Sequence, residues 1–150
     1  MTNLVIVDAE ATVRNWARAE TNIVAAVGTR TFFSTEIAYP KAALASNATP
    51  WIVMTLISET FQAGDVGMQL ALIQFDCRAT TKLIAADIAT ALETAGRLLT
   101  FGAPVSVTIP TGTARIAWAD VRQKRWLPDP TLNIPRYVVD ILFAIYGAEA

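Results

Sequence analysis

Residues 30–57 read RTFFSTEIAYPKAALASNATPWIVMTLI, and this stretch decides the fold because it lies between a helical pattern and a series of alternating strands. Its first six residues are rich in aromatic and β-branched side chains and predict a short strand. Proline cannot donate a hydrogen bond to a sheet ladder, so Pro40 is expected in a loop and Pro50 at the first residue of a strand. We therefore predict a short strand, a crossing loop over residues 36–49 and a strongly apolar second strand.

Two amphipathic helices are predicted around this stretch. One covers residues 9–27 and the other residues 81–95, because apolar side chains recur there every three or four positions. Asp8, and either Thr80 or Thr81, have the side chains preferred at helix N-caps. The expected apolar stripe of the second helix consists of Leu83, Ile84, Ile88, Ala91, Leu92 and Ala95.

Alternating apolar residues predict the remaining strands. The strands are expected over residues 51–61, 66–78, 105–109, 115–127 and 137–146. The first two of these are separated by a short glycine-containing turn, which predicts an antiparallel hairpin. In the second of them, Ala71, Ile73, Phe75 and Cys77 share one face, which we expect to be the core face. The predicted fold is therefore α+β, a mainly antiparallel sheet of about four to five strands with two α-helices packed on one face.

Composition excludes several kinds of active site. The chain has no histidine and one cysteine, Cys77, which excludes Ser-His-Asp and Cys-His catalysis, histidine metal sites and cysteine-rich zinc sites. No glycine-rich phosphate-binding motif occurs. Cys77 is expected to be a small buried residue. We therefore expect no catalytic residue, no metal ion and no cofactor.

Two aspartates interrupt apolar strands and are the candidates for carboxylate chemistry. Paired carboxylates on neighbouring strands can serve as acid and base or bind Mg²⁺. Asp76 shares a strand face with Gln74, which favours an exposed or interfacial polar residue over a catalytic one. Asp140 has the apolar same-face neighbours Val138 and Leu142, which indicates an ion pair with an arginine across a subunit interface.

The basic residues gather in the last third of the chain. This cluster comprises Arg115, Arg122, Lys124, Arg125 and Arg136, with Trp118 and Trp126 beside it. Residues 122–126 are polar on both faces of the predicted strand, which is typical of a segment that projects from a domain. We therefore expect an extended arm over residues 115–135. Tryptophans interleaved with basic residues can bind single-stranded nucleic acid, but the composition favours a protein contact.

The order of these elements resembles the tail terminator proteins of long-tailed bacteriophages, also described as tail completion or minor tail proteins. The resemblance covers nearly the whole chain as one domain, residues 1–150. The segments that carry it are Arg30-Thr31-Phe32, Pro50-Trp51-Ile52, Gln74-Phe75-Asp76 and Val138-Val139-Asp140. It implies a structural virion protein, not an enzyme, that forms a homo-oligomeric ring, usually a hexamer, at the head-proximal end of the tail tube.

The resemblance also implies partners. The ring would stop polymerisation of the major tail tube protein and present a surface to head-completion and neck proteins, while DNA passes through its lumen without specific binding. The resemblance also implies that the ring is assembled in the host cytoplasm. Two alternatives stay open. One is another head-tail connector or neck protein, and the other is a small carboxylate-dependent enzyme or ligand-binding α+β domain.

The amino-acid composition is consistent with a protein that has part of its surface covered by other subunits. Hydrophobic residues make up 53% of the chain and charged residues only 17%, against about 25% charged in a typical soluble domain. The apolar runs are far shorter than the roughly 20 residues that cross a bilayer, and the first residues lack the pattern of a signal peptide. We therefore expect no membrane association. The candidate subunit or partner interface consists of Lys41, Arg122, Lys124, Arg125, Trp126 and Asp140.

Overall fold

The fold is described from a computed structural model, which covers residues 7–34, 50–61, 68–127 and 134–147. These residues form an α+β structure, as predicted. The helices are α1 (Ala9–Ala19), α2 (Thr21–Val27) and α3 (Lys82–Arg97). The strands are β1 (Thr31–Phe33), β2 (Trp51–Phe61), β3 (Gln69–Arg78), β4 (Val105–Ile109), β5 (Gly112–Trp126) and β6 (Arg136–Gly147).

The strands form one sheet in the order β1-β2-β3-β6-β5-β4. Within the described ranges the sheet has six strands, not four to five, because every segment with strand character joins it. The β2–β3 hairpin is antiparallel, as predicted, and so are the β3–β6, β5–β6 and β4–β5 pairs. The edge strand β1 is parallel to β2. The sheet is therefore mixed.

The single first helix expected from the sequence is two helices, which is a correction. The chain is extended at Glu20 (φ −77°, ψ 125°), between α1 and α2. The Glu20 carboxylate accepts hydrogen bonds from the backbone N–H groups of Asn22 (2.8 Å) and Ile23 (3.1 Å). These are the groups left unpaired at the start of a helix, so Glu20 acts as the N-cap of α2.

The second predicted helix is α3, and Thr81 is its N-cap, one of the two expected threonines. The Thr81 hydroxyl accepts a hydrogen bond from Ile84 N–H at 3.2 Å. Leu83 and Ile84 are not part of the buried stripe as predicted, because they are 72% and 39% exposed. The buried face of α3 consists of Ala85, Ile88, Ala89, Leu92, Ala95 and Gly96.

All three described helices pack on one face of the sheet and enclose the core. The predicted core face of β3 is confirmed, since Ala71, Ile73, Phe75 and Cys77 are fully buried. Gly96 allows α3 to approach the sheet closely. A Cβ atom at this position would lie 3.0 Å from Val121 Cγ2 and 3.3 Å from Ile141 Cδ1.

The sheet curls around α1. Asn15 Nδ2 donates to the carbonyl oxygen of Thr108 in β4 at 2.9 Å. One turn further along, Arg18 donates to the carbonyl oxygen of Thr31 in β1, at 2.7 Å from Nη2. Residues three apart on a helix lie about 5–6 Å apart at Cβ, so the two edge strands of the sheet approach the same turn of α1. Covering a strand edge with a helix also blocks pairing with other chains at these points.

Within residues 30–57, two hydrogen bonds join the chain just before β1 to the start of β2. Arg30 Nε donates to the carbonyl oxygen of Pro50 at 2.8 Å, and the carbonyl oxygen of Arg30 accepts from Ile52 N–H at 2.9 Å. Strand β2 has the predicted bounds, and β1 is three residues long. Pro40 and the remainder of the expected crossing loop lie outside the described residues.

The extended arm expected over residues 115–135 needs correction up to Trp126. Strand β5 is paired with β6 from Ala114 to Trp126, with two irregularities, and so belongs to the sheet. It is polar on both faces in its second half because it lies at the margin of the sheet. Residues 128–133 lie outside the described part of the chain. None of the described helices is long and apolar enough to cross a membrane.

Candidate interaction surfaces

The second half of β5 forms an edge of the sheet. Strand β4 pairs with β5 only from Gly112 to Ile116. Beyond that, no described strand pairs with this side of β5, although Ala119 N–H donates to the carbonyl oxygen of Leu99 at 3.0 Å. The pairing of β5 with β6 shifts between Val121 and Gln123, which leaves Arg122 as an extra residue in a β-bulge.

Three of the predicted interface residues lie together along this edge. Arg122 is exposed and forms an ion pair with Asp120 at 3.0 Å. Lys124 lies 3.8 Å from a carboxylate oxygen of Glu93 in α3. Trp126 is 36% exposed. We refer to Arg122, Lys124 and Trp126 as the basic edge.

The Trp126 ring is held between two neighbours. It packs against Tyr137 of β6 at a centroid separation of 5.2 Å, and the Lys82 ammonium lies 4.8 Å from its centroid. A cation over a tryptophan face is attracted by the ring quadrupole. Lys82 therefore adds a second positive charge at this end of the basic edge.

The other two predicted residues that the structure describes, Arg125 and Asp140, lie on the face opposite the helices. Arg125 Nη1 donates to Asp140 Oδ2 at 3.0 Å and to Gln123 Oε1 at 2.6 Å. This arginine comes from the neighbouring strand of the same chain, and the expected ion pair across a subunit interface stays a prediction. Lys41, the remaining predicted residue, lies outside the described residues.

Asp76 lies on the same face, and the structure corrects its expected exposure. It is 7% exposed. Its Oδ2 accepts from Arg136 Nη1 at 3.1 Å and Arg78 Nη2 at 3.3 Å, and its Oδ1 accepts from Gln74 Nε2 at 3.2 Å. A buried carboxylate with two guanidinium partners is a structural ion-pair network.

An acidic cluster lies at the corner of the sheet diagonally opposite the basic edge. Burial raises the pKa of the Glu10 carboxyl above its usual value, and the negative charges of Asp8 and Glu59 raise it further. Asp8 is the N-cap of α1, and Glu59 accepts a hydrogen bond from the Gln69 side chain. We refer to Asp8, Glu10 and Glu59 as the acidic corner. The sequence pattern did not predict this corner because Glu59 is far along the chain from Asp8 and Glu10.

Large apolar side chains are exposed at the end of α3. Phe101, in the turn that follows the helix, is 87% exposed, and Leu98 is 63% exposed. A groove of about 530 Å³ opens beside Leu98, between the junction of α1 with α2, the end of α3 and strand β4. Exposed aromatic residues beside apolar grooves are typical of protein contacts. Phe101 was also missed, since one apolar residue in a turn carries no periodic signal.

The two aspartates considered for carboxylate chemistry lie in ion pairs. Neither Asp76 nor Asp140 lines the groove, and both aspartates are occupied by arginines. Within the described ranges, no three acidic or cysteine side chains are grouped so that they could hold a metal ion. Cys77 is buried, as predicted, and burial raises the pKa of its thiol well above the usual range.

Comparison with solved structures gives a likeness in fold. No model of a known protein family matches the chain, and no curated protein matches it either. Among solved structures, the chain is similar to one described as belonging to the virion of a native gene transfer agent particle. The TM-score is 0.59 at 17% sequence identity, over 93% of this chain and 95% of the other. At this identity the likeness shows a shared fold.

Proposed function

We propose that this chain is a structural virion protein, and specifically a tail terminator that forms a ring on the head-proximal end of a tail tube. The observation that carries the proposal is the fold shared with a chain of a virion, over nearly the full length of both chains. The position at the head-proximal end of the tail is supported by the order of elements, which resembles that of the tail terminator family.

The surfaces of the chain suit a ring. Contacts around a closed ring are heterologous, which means that each subunit uses two different surfaces to meet its two neighbours. The basic edge and the acidic corner are two such surfaces at opposite corners of one sheet. Exposed Phe101 and Leu98 provide a further apolar surface, which we assign to a partner along the tail axis, either the tube protein or a neck protein.

The proposed role does not require catalysis. The ring ends tube polymerisation by covering the last tube subunits, and DNA passes through its lumen. A net charge of −1 suits such passage, because nonspecific binding of DNA depends on neutralising phosphates with clustered basic residues. The aspartates that could have supported a carboxylate-dependent enzyme serve in ion pairs, so the proposal assigns them a structural role.

The mass of the protein in solution tests the ring. We expect size exclusion with light scattering to give a mass near six times 16.2 kDa, and negative-stain images to show closed rings with a central hole. Because heterologous contacts close into rings, the mass should stay constant over a wide range of protein concentration above the dissociation constant. A chain that is monomeric at every concentration tested would contradict the proposal.

A further inference from the structure

We propose that neighbouring copies in the ring meet by placing the basic edge of one copy against the acidic corner of the next. This inference rests on the proposed ring and names its subunit contact. The occupant of the basic edge is thus a second copy of this chain, not an unrelated partner or a nucleic acid.

The first support is the position of two strand edges with which no described strand pairs. Strand β1 pairs only with Ile52–Met54 at the start of β2, and β4 pairs only with the start of β5. Among the described strands, the later half of β2 and the later half of β5 are therefore both unpaired on their outer side. Since β2 and β5 run in opposite directions within the sheet, these halves lie at diagonally opposite corners. Two different surfaces on opposite sides of one subunit are what a heterologous ring needs.

The second support is charge complementarity. Arg122, Lys124 and nearby Lys82 outnumber their carboxylate partners Asp120 and Glu93 by one charge, so this corner is positive. Asp8, Glu10 and Glu59 make the other corner negative. The raised pKa of Glu10 shows that its negative charge is disfavoured within one chain. Basic side chains from a neighbouring subunit would relieve the repulsion among Asp8, Glu10 and Glu59. Opposite charge at facing surfaces also speeds association and suppresses wrong partners.

The third support is that each corner also exposes a large apolar residue. Ile57 in β2 is 51% exposed and lies where the pairing with β3 shifts, so it is the extra residue of a bulge. At the other corner, Trp126 is 36% exposed and Leu127 is 40% exposed. An apolar contact surrounded by paired charges is the usual anatomy of a protein interface. The bulges at Ile57 and Arg122 disfavour direct strand pairing, so the contact is made by side chains.

A pair of charge-reversal variants tests the contact. Arg122→Glu with Lys124→Glu makes both corners of a subunit negative, whereas Glu10→Lys with Glu59→Lys makes both corners positive. Each variant alone should associate at least about 100-fold more weakly than the wild type, because like charges would face each other. An equimolar mixture should form rings again, with the two variants alternating, since every contact then joins opposite charges.

Arg115→Glu is the matched control. Arg115 is an exposed arginine of the same strand, but it lies in the half that β4 covers, so its reversal should leave the ring mass unchanged. Circular dichroism of each variant checks that it folds. If a reversal variant fails to fold, the glutamine variants Arg122→Gln with Lys124→Gln replace it, with an expected weakening of about tenfold.

The outcomes separate this contact from the ring itself. Wild-type rings together with reversal variants that assemble normally would overturn the contact and leave the ring standing. Variants that dissociate but do not recombine on mixing would also overturn it, because the two surfaces would then not face each other. A wild-type chain that never assembles would overturn both the ring and the contact.

Discussion

Replacing Asp76 with alanine is expected to lower the free energy of unfolding by about 3–5 kcal/mol. Asp76 accepts hydrogen bonds from Arg78 and Arg136, and these arginine side chains are only 7% and 17% exposed. Without the carboxylate, two guanidinium groups would lie side by side in a site that water hardly reaches. Breaking a buried ion pair on one side is costly for this reason, even where the intact pair adds little net stability.

The measurement is chemical denaturation at fixed protein concentration, with the melting temperature as a second readout. For a chain of this size, 1 kcal/mol corresponds to about 2–4 °C. Asp120→Ala is the control, because Asp120 pairs with Arg122 where both side chains are 55% exposed. Exposed pairs contribute about 0–1 kcal/mol. Equal effects of the two substitutions would show that the Asp76 network is not a buried one.

Replacing Phe143 with alanine should cost about 3–5 kcal/mol. Phe143 is fully buried at the centre of β6. Its ring meets Trp16 of α1 edge-on at a centroid distance of 5.5 Å and Phe75 of β3 at 6.0 Å. The substitution would leave a cavity at the point where α1 is held in the curl of the sheet, and it would also remove two aromatic pairs worth about 0.5–1.5 kcal/mol each.

Phe101→Ala provides the matched comparison, since it is the same substitution at a side chain that is 87% exposed. Its expected effect on the free energy of unfolding lies within about 0.5 kcal/mol. Both variants would be followed by urea denaturation. A small loss of stability in the Phe143 variant would mean that α1 does not pack in the curled sheet as described.

Periodicity predicted much of the fold because it reports burial directly. The alternation in β3 identified Ala71, Ile73, Phe75 and Cys77 as core residues, and β2 has the predicted bounds. Periodicity did not predict the break at Glu20, because the apolar positions stay in phase through α1 and α2. The break comes instead from a side chain that competes for backbone donors, and no pattern of hydrophobicity records that competition.

The sequence predicted some of the residues on the interaction surfaces but not how they are arranged. Arg122, Lys124 and Trp126 lie along one strand edge, but the bulge at Arg122 interrupts the alternation that would have placed all three side chains on one face. Arg125 and Asp140 pair within one chain because of the register between β5 and β6, which depends on the bulge at Arg122. Register depends on which faces are buried and on the connection between the strands, and a one-residue bulge shifts it without changing the pattern of residue types. The acidic corner was not predicted because Glu59 is far along the chain from Asp8 and Glu10.

The first strand of residues 30–57, β1, contacts α1 in a way that the sequence did not predict. The Arg14 guanidinium lies 4.6 Å from the centroid of the Phe33 ring, and Arg18 donates to the Thr31 carbonyl oxygen. Helix α1 thus attaches to β1 through cation–π contacts and hydrogen bonds. The aromatic side chains of β1 therefore serve, with Arg14 and Arg18, to attach the edge strand to α1 inside the curled sheet.

The central claim, that this chain ends the tail tube, is tested most directly by the length of tails made without it. Cells that assemble the particle but lack this chain should produce tails that are longer than normal and variable in length, with no heads attached. Electron micrographs of the lysate give the length distribution, and supplying the chain from a plasmid should restore it. Tails of normal length that merely lack heads would contradict the tail terminator and favour another neck protein. Intact particles would contradict any structural role in the tail.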